Sequence, residues 1–150
     1  MHDANVTIIS SERKTALLLL LNLVLLGALG FAGYYGWLTA IWRADALKLS
    51  FLVIGIYFVT AFAATFSWIS DELTETVEAR LPMIALCGTV YGILIVFSVL
   101  GQAKFSGAGD FKSLIGPLLS GGGSAMWPTF LALAASNLLW LQIVVKRGGQ

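Results

Sequence analysis

The sequence predicts an all-α integral membrane protein with four transmembrane helices forming a single membrane domain over residues 1–150. Three observations carry this. Hydrophobic residues make up 58% of the chain, and only 11% are charged, against about a quarter in a soluble domain. The charges are also segregated. Thr15–Trp42, Leu49–Ser70, Leu81–Ala103 and Ser113–Val145 contain none, over 28, 22, 23 and 33 residues. A membrane-crossing helix needs about 20 consecutive apolar residues, and each stretch reaches that length. This pattern excludes a soluble enzyme, a nucleic-acid binder and a disulfide-stapled secreted domain. The near-neutral balance, +1 overall, offers no basic field for nucleic acid. The single cysteine, Cys87, and single histidine, His2, offer no metal-ligand constellation.

Helix 1 is expected from about residue 15 to 42. Its first half is a leucine block, and its second half carries Gly27, Gly30, Gly33 and Gly36. That spacing lays a small-residue stripe along one flank, the kind that lets helices approach closely in lipid. The run is far longer than a signal-peptide core, so it reads as an uncleaved first span. Tyr34, Tyr35, Trp37 and Trp42 suit an interfacial belt at its far end. Arg43–Ala46 form a tight hairpin, and helix 2 covers about 47–69. Asp71, Glu72, Glu75 and Glu78, closed by Arg80, make the only acidic cluster. They read either as a solvated helix end or as a mouth that gathers cations, with Glu72, Glu75, Glu78 and Arg80 lining it. Pro82 suits the first turn of helix 3, over about 82–101. A short polar loop, Gly101–Lys112, leads to helix 4, over about 113–145. Gly121, Gly122, Gly123 and Pro128 predict a break or kink there.

No Asp, Glu, Lys, Arg or His falls within these four spans. A self-sufficient proton-coupled carrier keeps at least one ionisable group in the membrane, so that class is disfavoured. With no nucleophile–base pair either, the chain is not expected to be an enzyme or to need a cofactor. The spans hold neutral polarity instead. Helix 3 has Thr89 beside the small-xxx-small pair Gly88 and Gly92; helix 4 has Ser120, Ser124, Thr129, Ser136 and Asn137. Such groups either bond across helices or line a wet path. On the second reading Thr89, Ser124, Thr129 and Asn137 lie along an ion pathway, with Gly88, Gly92, Gly121, Gly122 and Gly123 packing the helices around it.

The stretch RLPMIALCGTVYGIL, Arg80–Leu94, resembles the signature of the MotA/TolQ/ExbB proton-channel family through Leu81, Pro82, Gly88, Thr89, Val90 and Gly92. Ser113–Gln142 is similar to that family's last span, with Ser124, or alternatively Thr129, near its second pore hydroxyl and Asn137 near its terminal Asn. The resemblance covers about Arg80–Arg147. It implies a ring, typically a pentamer, around a single-span partner of the ExbD/TolR/MotB type that brings the proton-carrying Asp. It further implies a bacterial inner-membrane location with both termini cytoplasmic. Family members usually hold a large cytoplasmic domain between the equivalents of helices 2 and 3; here about ten residues, Asp71–Arg80, stand in its place. Two other readings need no partner carboxylate: a non-conducting structural or accessory membrane protein, and a holin-like pore former.

Overall fold

The computed structural model describes residues 2–102 and 108–148. Its elements are all helices: α1 (His2–Tyr34), α2 (Trp37–Ala44), α3 (Leu49–Thr65), α4 (Asp71–Gln102) and α5 (Ala108–Arg147). Three helical segments, Glu12–Tyr34, Asp71–Gly101 and Leu114–Arg147, are long and apolar enough to cross a membrane. Four were expected.

The difference lies in the second stretch. The predicted helix over 47–69 shortens to the 17 residues of α3, about 25 Å at 1.5 Å per residue. Lys48 takes a left-handed conformation before its first turn. Its last turn closes in a Schellman motif: Ser67 N–H donates to Ala64 O (3.1 Å) and Trp68 N–H to Ala63 O (2.8 Å), with Ser67 at φ 56°.

The first stretch is also divided. The helix expected over 15–42 ends at Tyr34, because Gly36 turns to φ 77°, a region open to glycine at little cost. Beyond it, the short α2 buries Ile41 and leaves Trp37 and Trp42 exposed. The predicted glycine stripe finds little to pack on within the chain. A Cβ at Gly27 or Gly30 would meet nothing within 4 Å.

The predicted third helix gains three turns at its start. Ser70 caps α4, its hydroxyl accepting the Leu73 N–H (3.2 Å), and Asp71 and Glu72 suit the positive end of the helix dipole. Asp71–Arg80 is therefore helix rather than a connection, and Pro82 lies inside α4, not at its first turn. Flanking Pro82, Leu81 and Ala85 are fully buried in the core, so packing holds the helix through it. No break occurs in α5 either, which runs continuously past Pro117, Gly121–Gly123 and Pro128. Pro128 is buried against Gly88 of α4. The loop expected over Gly101–Lys112 falls partly outside the described residues.

Helices α4 and α5 form the spine, and α3 lies along it. The core comprises Val53, Tyr57 and Ala61 of α3, Leu81 and Ala85 of α4, and Ala132, Ala135 and Leu139 of α5. Alanines at four of these eight positions let the backbones draw close. By contrast α1 is peripheral, leaving Leu17, Leu20, Leu23 and Val24 exposed.

Candidate functional site

The α4–α5 seam is held by glycine. A Cβ on Gly88 would come within 3.0 Å of Pro128 Cγ and of the Ser124 carbonyl oxygen. On Gly92 it would lie 2.6 Å from Ala125 N, and on Gly121 2.9 Å from Gly92 O. Gly123 serves another contact, its Cα facing Ala44, while Gly122 meets nothing. Of the five expected packing glycines, three build the seam, one seats the α2–α3 turn, and one faces open space.

Next to this seam the Thr89 and Thr129 hydroxyls lie 2.6 Å apart. Thr129 donates to Ala125 O (2.9 Å), and Thr89 also approaches Ala125 O (3.2 Å). The other two expected pathway residues stand elsewhere. Ser124 is buried under the α2–α3 turn: its oxygen accepts the Ala46 N–H (2.7 Å), and its hydroxyl donates to Ala44 O (3.3 Å). Asn137 is exposed, with Nδ2 folded back onto Leu133 O (2.7 Å). The side chain of Ser120 lies outside the described residues.

At the other end of the spine, Lys14 Nζ donates to Lys146 O (3.3 Å), and Lys146 Nζ donates to Asp71 (2.7 Å) and Ala64 O (3.0 Å). Arg147 pairs with Glu75. These contacts set one level across α1, α3, α4 and α5, where the apolar runs of α1 and α5 begin and end. Further in, the Ser136 hydroxyl donates to Glu78 Oε1 (2.8 Å). Glu78 is seven residues beyond Asp71 on α4, so it stands about 10 Å inside that level. Helix α4 thus carries its charges alongside the apolar surface of its neighbours. Glu72, Thr76 and Arg80, spaced i, i+4, i+8, share one face, and all three are exposed. At this depth the other helices expose mainly apolar side chains, Leu20 and Leu23 on α1, Val59 on α3 and Trp140 and Leu141 on α5, with Asn137 of α5 the polar exception.

A buried polar cluster joins the same layer, and the sequence reading passed over it. Asn22 Oδ1 accepts from Gln142 Nε2 (2.9 Å) and from the Tyr57 hydroxyl (3.3 Å). Asn22 Nδ2 donates to Thr65 Oγ1 (3.1 Å), and the Thr65 hydroxyl donates to Ala61 O (2.7 Å). The cluster ties α1 to α3 and α5. Its signal was present in the sequence: Asn22 is the one amide in the first apolar run and Gln142 one of two in the last, and an amide in an apolar run must find partners.

No family model, curated protein or solved structure matches the chain.

Proposed function

We propose that the chain is the ring-forming subunit of an ion-motive-force-driven channel or motor complex of the bacterial inner membrane. Copies of the chain pack with the Glu72–Thr76–Arg80 face of α4 turned inward, five of them on the family resemblance. A single-span partner of the ExbD/TolR/MotB type supplies the ion-carrying carboxylate on the axis. Both termini then lie on the cytoplasmic side, at the Lys14–Asp71–Lys146 level.

The observation that carries this reading is the polar face of α4. Charged groups on a membrane helix normally face the bundle interior or a water-filled cavity, yet within one chain this face points outward. Further copies turn that exterior into a hydrated vestibule. Beyond it lies Thr89, the hydroxyl that the Gly-Thr-Val-Tyr-Gly resemblance assigns to the pore, 2.6 Å from Thr129, the alternative to Ser124 for the second pore hydroxyl.

Cysteine labelling in nanodiscs tests this. In a Cys87→Ala background, Glu72→Cys and Arg80→Cys are expected to react with a membrane-impermeant maleimide as fast as a water-exposed site, while Leu20→Cys stays unreactive. Equal, slow labelling at Arg80 and Leu20 would overturn it.

One observation favours an accessory, non-conducting subunit: the Thr89 and Thr129 hydroxyls find all their partners within the chain. Thr89→Val separates the two readings. Normal assembly with ion flux lost supports the channel; normal assembly with function intact supports the accessory role.

A further inference from the structure

The α2–α3 turn holds a buried carboxylate whose partners are incomplete. Asp45 and Ser50 are each 0% exposed. The Ser50 N–H donates to Asp45 Oδ2 (2.7 Å), a bond that caps the first turn of α3. The other carboxylate oxygen, Asp45 Oδ1, and the Ser50 hydroxyl are both buried without a hydrogen-bond partner. A cap accounts for Oδ2 and leaves these two oxygens unexplained.

The surrounding charges do not answer them. Neither ion pair among the described residues involves Asp45. Lys48, three residues on, donates to the Trp42 carbonyl and lies 4.6 Å above the Trp42 ring centroid. Arg43 is exposed. The turn is closed against α5 by Ser124, which binds both Ala46 N and Ala44 O, and by Gly123, where a Cβ would come 2.6 Å from Ala44 Cβ. A buried carboxylate held by a single backbone N–H is costly unless its charge is matched.

We propose that Asp45 Oδ1 and Ser50 Oγ bind a small monovalent cation, sodium by size and hardness. Both are hard oxygen donors, which select hard cations. One carboxylate with neutral oxygens carries a single negative charge, which a singly charged ion balances. Both donors belong to one chain, so the site stands whether or not the chain forms a ring. It gives the protein an anionic group of its own, inside the fold, where the sequence suggested only a tight hairpin.

Thermal unfolding of the purified full chain in detergent, with NaCl replaced by choline chloride at constant ionic strength, tests the site. The midpoint is expected to rise saturably with sodium. Asp45→Asn is expected to abolish the rise, since its amide oxygen keeps the bond from Ser50 N–H while the charge is lost. Ser50→Ala leaves the cap intact and is expected to weaken apparent sodium affinity by about tenfold or more. Should Asp45→Asn fail to fold, Ser50→Ala decides alone. Identical midpoints in sodium and choline would overturn the site, as they would if only a water fills it. So would an undiminished sodium response in Ser50→Ala.

Discussion

Replacing Gly92 by alanine adds one methyl group at the tightest point of the α4–α5 seam. The new Cβ would stand 2.6 Å from Ala125 N, 2.9 Å from Ala125 Cβ, and against the Gly121 carbonyl. Carbon contacts are comfortable at about 3.5–4.0 Å, so the helices must part locally by roughly 1 Å. Two of the three atoms met are backbone, which cannot rotate away. A gap of that size forfeits about a quarter to a half of the dispersion attraction along the seam, and overpacking of this kind typically costs about 1–3 kcal/mol. Alanine returns about 0.5–1 kcal/mol through its better helix propensity. The net expectation is a loss of about 1–2 kcal/mol. Gly27→Ala is the matched control. Its Cβ meets nothing within 4 Å, so only the propensity gain remains, and it is expected to be neutral or slightly stabilising. Denaturant titration in detergent, followed by the fluorescence of the five tryptophans, measures both variants. Equal stability of Gly92→Ala and Gly27→Ala would refute the seam. A large loss at Gly27 would move the close contact to α1.

The other expectations concern the opposite end of the spine. Asn22→Leu removes the acceptor shared by Gln142 Nε2 and the Tyr57 hydroxyl; it is expected to cost about 1–2 kcal/mol in the same titration, and no change would mean the cluster is not formed. Lys146→Met and Asp71→Asn break a contact of 2.7 Å between partly exposed groups. Each is expected to cost about 1 kcal/mol. Because they break the same bond, the double variant should cost clearly less than the two losses together; full additivity would show that the pair contributes nothing.

The parts of the fold readable in the sequence were those governed by long apolar runs and local glycine spacing. Charge-free stretches mark helices because an unpaired backbone cannot lie in lipid, and three of the four mark helices long enough to cross. Gly88 and Gly92 announced a close helix contact, and Gly121 proved to be its other half. The failures were at boundaries and across distance. Pro82 reads as a helix start, but the Ser70 cap and the buried Leu81 and Ala85 carry α4 through it. Gly36 reads as one more member of a stripe, yet its left-handed φ divides the helix. The cluster of Asn22 and Gln142 joins residues 120 positions apart, a pairing no local pattern displays. Of the four expected pathway residues, only Thr89 and Thr129 join their side chains across the seam; the Ser124 backbone lies in it but its hydroxyl is taken by the α2–α3 turn, and Asn137 lies on the outer surface. Asp45 reads only as part of a tight hairpin; its burial comes from the turn's seating on Gly123 and Ser124, which no local pattern displays.

Imaging of the purified protein in nanodiscs, with subunits counted and helices traced, tests the central claim most directly. The expected result is a closed ring, five-fold on the resemblance, with α4 innermost, Glu72 and Arg80 facing the axis, and α1 on the rim. A monomer, a dimer, or a ring with α4 turned to lipid would contradict it.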